Sequence, residues 1–120
     1  MLKALWAEAI RLKYTVIWSV AGWRAAWASE ASLRHWTRAN LVSISVACVV
    51  DLTLAERALV VGFGLMILVA ELLNASIEDV VNRIDAAEHP LSKKIKDVGS
   101  AAVAVAALAA GVVWLNVLIG

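Results

Sequence analysis

The chain has 120 residues, 62% of them hydrophobic and 18% charged, with one proline and a formal net charge of +1. That composition is too apolar for an ordinary soluble domain of this size, and so small a net charge creates no basic field that would draw a nucleic acid. The single Cys48 excludes an intrachain disulfide, and its apolar neighbours make it a packing residue. The expected class is a small all-α integral membrane protein.

Residues 1 to 30 open the chain with Leu2, Leu5, Trp6, Ala9, Ile10, Tyr14, Ile17, Trp18 and Ala21 at steps of three and four, opposite Lys3, Glu8, Arg11, Thr15 and Ser19. That spacing predicts an amphipathic helix over about 3–30. It carries Trp6, Trp18, Trp23 and Trp27, and tryptophan prefers the headgroup level, so the helix is expected to lie in the membrane interface. A soluble helix packed on a partner is the alternative. The segment has neither the uninterrupted apolar core nor the small-residue cleavage site of a signal peptide, so no cleavage is expected.

Three apolar segments follow. The first, over about 33–50, is short, so a span there needs residues 33–38 as an interfacial ramp with Arg38 snorkelling outward; a re-entrant segment is the alternative. The second, over about 53–84, crosses with its last turns in water. The third, over about 92–119, is uncharged from Val98 to Gly120, enough to cross a core of about 30 Å as a helix. Of the 11 basic residues, all but Arg57 fall within 3–38, up to the ramp of the first span, or within 83–96, where the second span ends and the third begins. The positive-inside rule makes that side cytoplasmic.

The chemistry concentrates where the second apolar run ends. At about 100° per residue, Glu71, Asn74 and Glu78 form one stripe about 10 Å long. A carboxylate in hydrocarbon costs on the order of 3 kcal/mol or more unless it is paired, solvated or metal-bound. Two carboxylates and an amide suit metal-assisted phosphoryl transfer: magnesium takes hard oxygen ligands from one or two carboxylates plus phosphates, while a separate carboxylate can accept a hydroxyl proton. The competing reading is a solvated helix end, which applies more readily to Glu78 than to Glu71. Downstream, KKIKDVGS over 93–100 offers lysines for polyphosphate and Gly99 for close backbone approach, although a basic flank before a span needs no function. Glu88-His89-Pro90 is a turn with a titratable imidazole. No G-x-x-x-x-G-K-[ST] loop, Gly-rich protein-kinase loop, H-E-x-x-H or cysteine cluster occurs, which excludes a soluble-kinase architecture. Asn74-Ala75-Ser76 matches the glycosylation sequon only formally, inside a helix at the cytoplasmic membrane edge.

These residues resemble the prokaryotic diacylglycerol kinases, small membrane enzymes unrelated to soluble kinases. The resemblance rests on ELLNASIEDVVNRI over 71–84, AEHPLS over 87–92, KDVGSAAV over 96–103 and WSVAGWRAAWASEASLR over 18–34. It implies a homotrimeric helical bundle with three transmembrane helices and one amphipathic surface helix per subunit, multi-pass in the bacterial inner membrane, with active sites shared between subunits on the cytoplasmic side. It implies ATP as phosphoryl donor, Mg2+ as metal, and diacylglycerol and membrane lipid as partners. Under it, Glu71 is the general base, Asn74 places the reacting groups, and Glu30 and Glu78 hold the metal. Arg11, Trp18, Glu30, Glu78, Glu88, His89, Lys96 and Asp97 bind nucleotide. Ser19, Arg24, Ala25, Ala26, Trp27, Leu33, Arg34, Asp51, Arg57, Glu71, Ser100 and Trp114 contact the lipid substrate.

The chain departs from the family pattern at Ala21, where lysine is common, at Trp36, where an acidic residue is common, and at Pro90. The first two bear on lipid contacts, the third on closure of the loop over nucleotide. Two other functions compete. Undecaprenol kinases tend to carry K-D-x-A-A-G-A-V where this chain has KDVGSAAV, which favours diacylglycerol. A non-catalytic packing scaffold would account for the small residues over 100–111 and leave Glu30, Glu71 and Glu78 without a role.

Overall fold

The computed structural model describes residues 1–120 as four helices and no strand: α1 (Leu2–Ser29), α2 (Ala31–Val49), α3 (Leu54–Ile84) and α4 (Pro90–Ile119). The chain divides into two compact units, Met1–Ala31 and Ser32–Gly120.

The first unit is α1. It buries no residue within the chain, and most of its apolar side chains, Leu2, Leu5 and Trp6 among them, stay exposed. Neighbours one turn apart support it along its length. Arg11 pairs with Glu8 at 3.3 Å, Thr15 Oγ1 donates to the Arg11 carbonyl and Ser19 Oγ to the Thr15 carbonyl. The Tyr14 and Trp18 rings lie 5.9 Å apart and those of Trp23 and Trp27 6.1 Å apart. These are the i, i+3 and i, i+4 contacts that helix geometry allows. The helix stops at Glu30, whose backbone is extended and whose N–H still bonds the Ala26 carbonyl.

In the second unit the α2–α3 turn is held by its own polar groups. Thr53 caps α3: its Oγ1 accepts from the Glu56 N–H at 3.2 Å, while the Glu56 carboxylate accepts from the Thr53 N–H at 2.8 Å. That reciprocal box satisfies two donors that a helix start leaves open. One turn later the Arg57 guanidinium reaches back, Nε donating to the Ala47 carbonyl at 2.9 Å and its terminal nitrogen to the Leu52 carbonyl at 3.4 Å. A cation on the Ala47 carbonyl, in the last turn of α2, also answers the negative end of that helix. Ala47, Leu52 and Val60 form the buried cluster beneath the turn, with Val113, Trp114 and Val117 of α4 against it. Cys48, expected as a packing residue, is exposed on α2, because Ala47 takes the inward position.

α3 buries Val60, Gly64, Ile67, Leu68, Glu71, Asn74, Ala75 and Val81. Those steps of three and four trace one face, and α4 packs against α3. Polar groups cross between helices where glycine leaves room. Asn40 on α2, only 6% exposed, sets its Oδ1 against Gly64 and donates from Nδ2 to the Trp36 carbonyl at 3.0 Å. Trp114 Nε1 donates to Ser43 Oγ at 2.9 Å, joining α4 to α2.

α3 ends at Ile84, and Asp85 Oδ1 accepts from the Ala87 N–H, turning the chain. α4 then starts on His89, whose Nδ1 accepts from the Leu91 N–H at 3.0 Å, with Pro90 at the first helical position. Proline suits that place because its missing N–H would have no helical partner there. Only α3 and α4 are long and apolar enough to cross a membrane; 33% of the most apolar window of α3 and 6% of that of α4 is buried within the chain. The core helix of a soluble protein would be mostly buried, so these two helices leave apolar surface suited to lipid or to neighbouring chains. α2, with 19 residues and Arg34, His35 and Arg38 in its first half, falls short of that measure.

Candidate active site

The regular turn of α3 carries Glu71, Asn74 and Glu78 onto one face. Glu71 is 5% exposed and Asn74 8%, and Glu78 is half-buried one turn further on. Asn74 Nδ2 points to Glu78 Oε1 across a long 3.5 Å contact. Its Oδ1 is buried and accepts no hydrogen bond; it lies against Gly99 of α4. The burial of Glu71 gives a carboxylate shielded from bulk water, the setting in which proton acceptance can be coupled to a reacting hydroxyl.

Beyond the end of α3, the loop and the first turns of α4 form an open cleft of roughly 750 Å³ lined by residues 86–90, Ser92, Lys93, Lys96 and Asp97. That volume lies in the range of small-ligand clefts. Glu88, His89, Lys96 and Asp97, expected to bind nucleotide, meet in this one cleft. Lys96 Nζ donates to Asn82 Oδ1 of α3 at 2.9 Å, while Asp97 accepts from Lys93 Nζ at 2.6 Å in an exposed pair.

The other expected residues fall elsewhere. Arg11, Trp18, Ser19, Arg24, Ala25, Ala26, Trp27 and Glu30 belong to the first unit, where Glu30 Oε1 accepts from Ser29 Oγ at 3.3 Å. Leu33 is buried and Arg34 half-buried near the start of α2, and Ser100 is exposed on α4. Asp51 lies in the α2–α3 turn and Arg57 in the first turn of α3, so 14 helical steps, about 21 Å, separate Arg57 from Glu71 along α3. Trp114 packs against the cluster under that same turn. The expected lipid contacts in this unit therefore occupy two levels rather than one pocket.

Three pairings were not anticipated from the sequence, although Lys93 and Gly99 were themselves singled out there: Lys96 with Asn82, Lys93 with Asp97 and Gly99 with Asn74. Asn82 continues the Glu71, Glu78 stripe by one more turn, and that periodicity could have revealed it. Lys93 sits one turn before Asp97, a spacing visible in the sequence. Gly99, read as a place for phosphate to approach backbone, has the Asn74 amide as its neighbour, which only helix register determines.

No group of three or more carboxylate, imidazole or thiol side chains converges in one chain. The half-buried Glu78 offers hard carboxylate oxygens of the kind that suit a magnesium ion taking its remaining ligands from phosphates, since that ion rarely uses an all-protein cage.

A carboxylate and amide stripe on a long apolar helix, followed in the chain by a basic and imidazole-bearing cleft, defines a small helical membrane protein with an ionisable site at the end of its apolar segment. The family model for "Prokaryotic diacylglycerol kinase" matches residues 17–118. The chain is 44% identical over 103 residues to a diacylglycerol kinase of Pseudomonas aeruginosa, covering 86% of this chain and 84% of the relative. It is 39% identical to that of Escherichia coli K12 over 97 residues, 81% and 80% of the two chains. With that of Haemophilus influenzae it shares 34% over 101 residues, 84% and 86%. The chain belongs to the prokaryotic diacylglycerol kinase family, as its motifs indicated, and it is an enzyme of the kinase class.

Proposed function

We propose that this protein transfers the γ-phosphoryl group of ATP to the free hydroxyl of diacylglycerol, giving phosphatidate and ADP at the cytoplasmic face of the bacterial inner membrane. The observation that carries the reading is the buried Glu71 on one stripe with Asn74 and Glu78 where the apolar part of α3 ends. A lipid alcohol reaches such a site sideways from the bilayer with its hydroxyl at headgroup depth. The lipid hydroxyl gives its proton to the Glu71 carboxylate while its oxygen forms a bond to the γ-phosphorus. The bond from that phosphorus to the β–γ bridging oxygen breaks, and ADP leaves with the electron pair. Such transfer has a loose transition state that asks mainly for positioning and charge neutralisation.

In this reading Asn74 orients the reacting groups, and Lys96 leaves Asn82 to meet the phosphates. Glu88, His89, Asp97, Arg11 and Trp18 hold the rest of the nucleotide. Glu30 and Glu78 would hold magnesium, which neutralises polyphosphate charge when bound. Ser19, Arg24, Ala25, Ala26, Trp27, Leu33, Arg34 and Ser100 take the headgroup region of the lipid, with Asp51, Arg57 and Trp114 at the other end of the spans. The assembly is a homotrimer in which α2, α3 and α4 all cross the membrane and α1 lies on its surface. The test is phosphate transfer from labelled ATP, with magnesium, to dioleoylglycerol and to a polyprenol offered separately in mixed micelles. The expected product is labelled phosphatidate; label chiefly on the polyprenol would replace the substrate, and label on neither would overturn the reading.

A further inference from the structure

Two asparagine amides in this protein rest on glycines of a neighbouring helix. A Cβ built on Gly64 would come under 3.0 Å from Asn40 Oδ1, and one built on Gly99 would come equally close to Asn74 Oδ1. Real Cβ atoms do not approach oxygen that closely, so each glycine leaves the space its partner's amide occupies. The Asn40 contact joins α2 to α3 away from any carboxylate. The Asn74 contact joins α3 to α4 within the acidic stripe.

We infer that Gly99 is a positioning residue of the reaction: its bare Cα seats the Asn74 carbonyl oxygen and so aims the Asn74 Nδ2 at Glu78. The inference rests on the proposed roles of Asn74 and Glu78. Asn74 Oδ1 is fully buried with no conventional donor, and the glycine Cα–H is a weak donor suited to it. Rotating the amide by half a turn would set Oδ1 against the Glu78 carboxylate and two N–H donors against a C–H, which is unfavourable on both sides. The Gly99 seat therefore selects one amide orientation, with Nδ2 3.5 Å from Glu78 Oε1. A methyl group at position 99 would displace the oxygen, and Nδ2 would leave the carboxylate with it. The Asn74 Cα lies 3.9 Å from the added Cβ, an ordinary van der Waals contact, so the clash falls on the Asn74 side chain and not on the α3 backbone.

The test uses the full chain in micelles. Gly99→Ala should lower kcat about tenfold or more while the KM values for ATP and dioleoylglycerol change less than about threefold. Asn74→Ala removes what the methyl would strike, so Gly99→Ala should cost little further in the Asn74→Ala background; losses that multiply would overturn the inference. Gly64→Ala makes the matching clash with Asn40 outside the stripe. It should lower the midpoint of thermal unfolding and leave kcat within about twofold, and an equal fall in kcat would reduce Gly99 to packing. A readout independent of turnover is the side-chain amide resonance of Asn74 in asparagine-15N-labelled protein, assigned by its loss in Asn74→Ala. It should shift in Gly99→Ala and not in Gly64→Ala. An unmoved resonance would overturn the seat, whereas a shifted resonance in a protein that phosphorylates no lipid would overturn the proposed function and leave the geometry standing.

Discussion

Lys96 on α4 donates a 2.9 Å hydrogen bond to Asn82 Oδ1 on α3, bridging the loop from Asp85 to His89. The bond holds the ammonium at the edge of the cleft on a neutral amide, which keeps its charge available to phosphate. An ion pair with a carboxylate would compete for it. Lys96→Met is expected to lower kcat/KM for ATP by about a hundredfold or more. Asn82→Ala, which removes only the anchor, is expected to change KM for ATP by about two- to fivefold with kcat nearly intact. Steady-state kinetics with varied ATP would separate them, and equal losses would show that Asn82 itself meets the nucleotide.

Glu71 is expected to be indispensable to proton removal. Glu71→Gln keeps the shape of the side chain and removes its ability to accept the proton, so the phosphorylation rate should fall by about 10² to 10⁴-fold. Thermal unfolding in micelles should show the protein still folded. A folded variant with near-normal transfer would assign the base elsewhere.

Magnesium dependence is the measure for Glu30 and Glu78. Each substitution to glutamine retains an oxygen ligand but removes a negative charge, so the magnesium concentration for half-maximal activity should rise by about tenfold in either variant. Unchanged dependence in both would place the metal on other groups.

Trp114 and Ser43 make a bond that tests packing rather than chemistry. Trp114→Phe should destabilise the protein by about 0.5–1.5 kcal/mol, and Ser43→Ala should add little in that background. Unfolding of the two single variants and the double variant gives the coupling. Fully additive effects would mean that the indole acts through its ring alone.

A helix repeats its own geometry, so whatever lies within one helix can be read from spacing. Glu71, Asn74 and Glu78 are legible for that reason, as is the Thr53 and Glu56 cap, whose side chains and backbone partners lie three residues apart. The apolar length from Val98 onward and the motif strings over 18–34 and 71–103 likewise carried the membrane class and the family. Contacts between helices follow a different rule. Lys96 with Asn82, Trp114 with Ser43, Asn74 with Gly99 and Asn40 with Gly64 depend on the register of one helix against another, and that register is a collective result of packing every side chain along the contact. By itself, then, the sequence determined which residues share a helix face and which segments are apolar enough for lipid, because both are local properties of the chain. Tertiary structure alone decided which face meets which: it seated the Asn74 amide on Gly99, set Lys96 on Asn82 and brought the Trp114 indole to Ser43.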